Sequence, residues 1–302
     1  MSHEVDVIGL GENSVDRVLT VPLLPGAAGA SSKMPLVSTR TGCGGQVATA
    51  MVTCASLGLR AAYVGAVGDD EDGRLVRSTL AAHHLNLTHL LTIPGAATRS
   101  ATILVDADGD RSVLWQRDEK LNLRADFLDA IDLAGVRLVH VDDTDIDAAV
   151  RLAERARQAG IFVTTDIDAS ARVRGCAGAQ VRHLMRLATH PILSEEALAA
   201  LSGEIDPERG LRALRSECDG LLCVTLGARG AMALDGQTLV FAPGVAVTPV
   251  DTTGAGDAFR AGFIYAVLEG RPLEAAMHFA NQVASQSCLR AGAIQLSDGM
   301  TE

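Results

Sequence analysis

The sequence predicts an α/β domain, with a mainly parallel sheet covered by helices on both faces and a small β-sheet lid. Three observations lead there: short apolar runs ending at glycine, amphipathic helical segments between them, and one hairpin-like stretch that breaks the alternation. "VDVIGLG" (5–11) and "RAAYVGAVG" (60–68) read as buried strands. Between them Val47, Ala50, Met51, Cys54 and Ala55 follow the i, i+3, i+4, i+7, i+8 spacing of one helical stripe, which Gly58 ends. Further strands are expected at 136–141, 161–167, 190–194 and 220–227, and "DIDAAVRLAERARQAG" (145–160) is one of the helices between them. The exception is "TRSATILVDADGDRSVLW" (98–115), two extended runs around Asp108 and Gly109, a strong hairpin signal. With the Pro/Gly/Ser-rich stretch 21–37 it forms the expected lid, drawn from about 17–40 and 98–116 of a single domain spanning 1–302.

Composition excludes several classes. The chain has 302 residues, 48% of them hydrophobic, enough for a sizeable core. Its 26 Lys and Arg face 37 Asp and Glu, and no basic block could follow a phosphate backbone, so nucleic acid is not an expected partner. The N-terminal stretch is acidic where a signal peptide is basic, and no apolar run reaches the roughly 18 residues of a membrane span. A cytoplasmic protein with reduced cysteines is expected, since the six cysteines form no CxxC pair.

The chemistry concentrates in "PVDTTGAGDAFRAGF" (249–263). Phe259, Gly262, Phe263, Ala266 and Val267 fall at helical spacing, so the glycines stand at a helix start. There the first N–H groups lack intrahelical partners and the dipole favours anions. Gly254, Ala255 and Gly256 leave the backbone bare to a phosphoryl group, and Asp257 is placed to take the proton of an attacking hydroxyl. The ordinary alternative for Asp257 is a first-turn acid stabilising its helix by about 0.3–1 kcal/mol. Arg260 either pairs with Asp257 at i, i+3 or faces solvent. No GxxxxGK[ST] occurs, and "GLGEN" (9–13) is only a broken dinucleotide fingerprint.

This stretch is similar to the C-terminal motif of the ribokinase-like (PfkB) carbohydrate kinases, and "GCGGQVATAMVTCASLGLRAAYVGAVGDDEDG" (42–73) resembles their N-terminal motif. The resemblance covers nearly the whole chain and implies a doubly wound α/β fold with a β lid over the sugar. It implies Asp257 as catalytic base and residues 254–256 as the anion hole, with Asp251 and Thr253 beside a monovalent cation, usually potassium. Asp16 matches the acid that holds substrate hydroxyls, and Gly44 and Gly45 the glycines against which the sugar packs. Thr49 stands where asparagine is usual; with Gln46 it forms a polar line at the pocket end of its helix. Thr225, Gly227, Asn281 and Gly292 match the ATP side.

Ser194 and Ala197 replace the usual Asn-x-x-Glu, leaving Glu195 or Glu196 to act through water near the magnesium that ATP carries. Lys33, Arg111, Trp115, Asp142 and Asp143 lie on segments that can face the sugar, each with an ordinary surface, packing or turn role as alternative. Lys33 would meet an anionic substrate group. The expected activity is ATP-dependent phosphorylation of a primary hydroxyl of a monosaccharide or derivative. A nucleoside kinase or a non-catalytic ligand sensor of the same fold are the alternatives, and a homodimer through the lid is the expected assembly.

Overall fold

The structure, a computed structural model, describes residues 5–26, 33–168 and 178–294. In chain order, β1 (Val7–Leu10) passes through Glu12 and Asn13 into β2 (Ser14–Thr20). Then come β3 (Ser38–Gly44), α1 (Gln46–Ser56), β4 (Ala61–Gly68), α2 (Glu71–Ala82) and β5 (Asn86–Ile93). The hairpin β6 (Ser100–Val105) and β7 (Arg111–Gln116) leads through α3 (Ala125–Asp129) to β8 (Leu138–Asp142), α4 (Ile146–Gln158) and β9 (Phe162–Ile167). Next are α5 (Gly178–Leu187), β10 (His190–Ser194), α6 (Glu195–Ser202), α7 (Pro207–Leu214) and β11 (Leu222–Thr225). The antiparallel pair β12 (Gly230–Asp235) and β13 (Thr238–Pro243) precedes α8 (Ala255–Leu268) and α9 (Leu273–Ser287).

Two sheets result. Nine strands form the main sheet in the order β13-β12-β11-β10-β9-β8-β1-β4-β5, parallel from β11 to β5 and closed at the other edge by the antiparallel pair. Strand alternation sorts its side chains into two cores. Ile8, Leu10, Val139 and Val141 meet Leu152, Leu184, Leu198 and Leu211 of α4 to α7 on one face. Val7 and Leu138 meet Val47 and Met51 of α1 and Ile264 of α8 on the other. Phe259 and Phe263 extend that second layer over β11 and β12 with Met277 of α9. This is the doubly wound architecture expected, and the expected strands fall within two residues of those observed.

The second sheet, of order β3-β2-β6-β7, stands apart from the first. The 98–115 hairpin forms as β6 and β7, with its turn at residues 106–110. The other half differs from expectation: β2 and β3, at the ends of the 17–40 segment, carry the pairing, and the described residues of the Pro/Gly/Ser-rich stretch, 21–26 and 33–37, add no strand. Residues 27–32 of that segment lie outside the described residues, as does Cys176. The other five cysteines are unbonded, and no described helix is long and apolar enough to cross a membrane.

Strand order turns at β1, which pairs with β4 on one side and β8 on the other. The carboxyl ends of β1 and β8 therefore border a crevice of the kind where such sheets bind ligands. Glu12 leaves β1 there and Asp142 ends β8, joined by a hydrogen bond from Glu12 N to Asp142 Oδ2 of 2.7 Å.

Candidate active site

Helix α8 begins in this crevice. Gly254 caps it at φ 80°, a left-handed conformation that glycine adopts without strain. An added Cβ would also meet Ala293 Cβ at 2.9 Å, so a side chain is excluded twice. Ala255 N–H closes a turn on Thr252 O at 3.2 Å. The N–H groups of Gly254, Gly256 and Asp257 have no backbone partner among the described residues, so they rather than Ala255 present the open donors.

Two cavities meet at this turn. One, of about 610 Å³, is lined by Thr225, Gly227, Gly244, Thr252, Ala255, Gly256 and Asn281. The other, of about 690 Å³, reaches Asp16, Gly45, Gln46, Arg99, Trp115 and Asp257 beneath the lid. The glycine turn is their common wall. A larger open depression of about 920 Å³ lies at the opposite, amino ends of β1 and β4, around Val5, Leu59 and His83, away from every residue of the turn.

On the lid side, Asp16 comes from β2 and is pressed against Gly44 of β3. A Cβ on Gly44 would sit 2.3 Å from Asp16 Oδ2. Burial pushes the Asp16 carboxyl up, opposed by Ser14, whose hydroxyl donates to Oδ1 at 2.8 Å, and by the charge of Arg40. Gly45, at φ 95°, lets α1 start close under the β1–β2 connection, where a Cβ would meet Asn13 Cα at 2.5 Å. Gln46 reaches the cavity. Thr49 does not: it is buried beneath it, its methyl toward Gly254 and its hydroxyl without a partner among the described residues.

The cavity floor is carboxyl-rich. Asp257 is half-buried at the cavity wall, and desolvation there pushes its carboxyl up to about 7 against the pull of the Arg260 guanidinium. Glu12 is likewise pushed up to about 7 by burial and the charge of Asp142. Sequence reasoning passed over Glu12, although its place one residue past the β1 glycine was a signal; Arg99 and Asp168, also in the lining, offered none. Arg260 departs from both expected roles. Its side chain is 5% exposed, and Nη2 lies 2.5 Å from Oδ1 of Asp166 on β9, which is fully buried.

Three residues sit elsewhere than expected. Arg111 faces the anion-hole loop, with Nη1 3.4 Å from Thr253 Oγ1 and Nη2 3.7 Å from Asp251. Lys33 is exposed and lines neither cavity. Gly292 leaves the nucleotide side and donates its N–H to Asp251 Oδ2 at 3.0 Å. Asn281 lines the nucleotide-side cavity with its amide donated to Ala242 O and Pro243 O.

Asp251 accepts from Thr253 N, Thr253 Oγ1, Arg40 Nη2 and Gly292 N. Burial raises its carboxyl, but these bonds outweigh it and hold it well below the usual range. A carboxylate so saturated does not fit a monovalent-cation ligand in this arrangement. The described residues also form no cluster of three acidic, His or Cys groups that could hold a metal. At the altered Asn-x-x-Glu, the Ser194 hydroxyl caps α6 by accepting from Ala197 N, and Glu195 pairs with Arg229. The described residues therefore supply no cage for magnesium.

The model of the pfkB family carbohydrate kinases matches residues 4–298. The chain belongs to this family. It is 29% identical over 298 residues to an ATP-dependent ribose-1-phosphate kinase of Halopiger xanaduensis, covering 96% of this chain and 94% of the relative. It is 32% identical over 261 residues to a fructokinase of Klebsiella pneumoniae, covering 81% and 80%. Its fold matches Arabidopsis thaliana ribokinase complexed with ribose and ATP, with a TM-score of 0.81 and 22% identity over 96% of this chain and 94% of that one. As a pfkB kinase it is an ATP-dependent carbohydrate kinase, a phosphotransferase acting on sugars or nucleosides.

Proposed function

We propose that this kinase transfers the γ-phosphoryl group of ATP to a primary hydroxyl of a neutral monosaccharide or a neutral sugar derivative, with Asp257 as base. The observation that carries this reading is the single turn separating the two cavities, with Asp257 on the lid side and open N–H groups along the turn. ATP occupies the Thr225–Asn281 side, its γ-phosphoryl toward the donors of Gly254 and Gly256. The sugar lies under the lid, two hydroxyls on Asp16. Its primary hydroxyl attacks phosphorus, and the new O–P bond forms as the bond to the β,γ-bridging oxygen breaks. The proton passes to Asp257, ADP leaves, and the turn's donors and dipole stabilise the charge on the transferring group. Magnesium carried by the nucleotide would neutralise its phosphates, with no ligand cluster of three acidic, His or Cys groups among the described residues.

A neutral acceptor follows from the charges. Glu12, Asp16, Asp143, Asp168 and Asp257 line the lid cavity against Arg99 and Arg117. An already phosphorylated or sulfonated sugar would meet that acidic surplus, and Lys33 lies outside the lining. The assembly we propose is a dimer through β7, an exposed edge strand carrying Val113, Leu114 and Trp115, all more than half exposed.

The test is ADP release with ATP and a panel of D-ribose, D-fructose, other neutral hexoses, their phosphates and inosine. A neutral sugar should give the highest kcat/KM. A sugar phosphate or inosine as best acceptor overturns the substrate class, and near-normal turnover in Asp257→Asn overturns the mechanism.

A further inference from the structure

Beneath the glycine turn lies a buried ionic layer that the phosphoryl-transfer reading leaves unused. Arg260 follows Asp257 by one helical turn, and its guanidinium folds back under the turn's start: a Cβ on Gly256 would lie 2.8 Å from Nη1. Nη2 pairs with Asp166 at 2.5 Å, and the Asp166 carboxyl faces that of Asp257. Beyond the ion pair, neither Asp166 oxygen nor Arg260 Nε has a hydrogen-bond partner among the described residues. A guanidinium almost wholly withdrawn from water, paired with one carboxyl and acting by its charge on a second, is costly to place by burial alone. Surface chemistry gives it no reason to be there.

We propose that Arg260, held by Asp166, is a positioning residue that fixes the Asp257 carboxyl beside the attacking hydroxyl and keeps it in its proton-accepting form. The inference rests on Asp257 being the base. Two desolvated carboxyls side by side do not both ionise readily without a cation, and the protonated member takes up no further proton. Arg260 is that cation. The other charged and titratable groups around the pair do not replace it. On β8, His140 is buried with Nδ1 2.9 Å from Thr164 Oγ1, and burial drives its imidazole down to about 3, so it is neutral. Asp142 on β8, Asp168 after β9 and Glu12 after β1 add only negative charge. Cys223 on β11 is held as a thiol, its pKa pushed up to about 12 by burial. Arg99, at the start of β6, bears on Glu12 and Asp142.

The experiment compares wild type with Arg260→Met, Arg260→Lys and Asp166→Asn, using ATP with D-fructose and D-ribose as acceptor probes between pH 5 and 9. Arg260→Met should move the acid limb of kcat to higher pH, lowering kcat at pH 7 about fivefold for the first unit moved and about tenfold for each further one, with both KM values within about twofold. Arg260→Lys, which keeps the charge, should hold the limb near its wild-type position. Asp166→Asn leaves the guanidinium facing Asp257 alone and should move it to lower pH. A loss of kcat that is equal at every pH in Arg260→Met, or an upward move in Asp166→Asn, overturns the proposal.

A second arm needs no acceptor. The melting temperature of Arg260→Met should fall more steeply than that of wild type between pH 5 and 8, because its folded state holds a proton longer than the unfolded chain does. Adding Asp257→Asn should remove the extra slope; if the slope persists, Asp257 is not the group Arg260 serves. This arm separates the two readings, since retained turnover in Asp257→Asn would end the base assignment while leaving the slope intact. Should Arg260→Met fail to fold, the Arg260→Lys and Asp166→Asn profiles decide.

Discussion

Arg40 of the lid strand β3 reaches across to Asp251, with Nη2 2.9 Å from Oδ2, and Arg111 of β7 approaches the same carboxylate. The lid is thereby tied to the loop that leads into the phosphoryl-binding turn, by guanidinium groups at the position where the family resemblance implied a potassium ion. Replacing potassium chloride by choline chloride at constant ionic strength should leave kcat within about twofold. Arg40→Met should raise the sugar KM and make the rate respond to potassium, since it frees one Asp251 oxygen. A wild-type rate that collapses without potassium would contradict this relationship.

The pH profile of turnover should follow Asp257. Its carboxyl is pushed up to about 7, and only the ionised form accepts the hydroxyl proton. The rate should therefore rise with pH, pass half-maximum near pH 7 and level above it. A profile flat from pH 5 to 8 would be inconsistent with a desolvated carboxylate base.

Glu12 makes a separate statement about stability. Its carboxyl ionises at 4.5 when unperturbed and at about 7 in the folded chain. The folded state thus holds the proton longer, and Glu12 lowers stability progressively as pH rises from about 4.5 to about 7. Glu12→Gln should flatten that decline and raise the melting temperature at pH 8. Urea unfolding at pH 5 and pH 8 checks the sign.

Gly254→Ala tests the turn itself. Alanine at φ 80° costs about 1–2 kcal/mol, and its Cβ would press on Ala293. Turnover should drop about 10²–10³-fold, the scale seen when a preorganised anion donor is lost. Circular dichroism should still show a folded protein.

The proposed dimer is checked by sedimentation. Leu114→Asp, on the β7 face away from Val113 and Trp115, should shift the protein to monomer with little effect on ADP release. An unchanged sedimentation coefficient would remove β7 as the contact.

Periodicity and glycine placement carried the prediction where the signal is local. The α1 stripe, the 98–115 hairpin and the start of α8 each depend on residues within about a dozen positions of one another. The site was readable to the extent that its motifs are contiguous: Asp257, Asp16, Gly45 and Gln46 converge as the resemblance implied. What failed to show was long-range. Arg260 looked like a helix-surface charge because its partner, Asp166, lies on a strand far away in sequence, and nothing near either residue marks them as a pair. Thr49 belonged to a polar line by helical spacing, yet α1 starts so close under Gly254 that its first turn is packed inside. The edge strands β12 and β13 went unread, although Asp235 and Gly236 between them carry the same hairpin signal that marked 98–115.

The contact between Gly254 and Ala293 has a consequence for how the protein is made. Ala293 belongs to the last described turn, where Ile294 N donates to Cys43 O at the end of β3 and Gly292 holds Asp251. The phosphoryl-binding turn is thus walled by residues from the first fifty positions and by residues near 293. A nascent chain arrested before residue 288 can build most of the main sheet, but its turn has no backing and its lid strand no clasp. Catalytic competence therefore arrives only once residues 288–294 have been made and are laid across the strands of the first fifty positions.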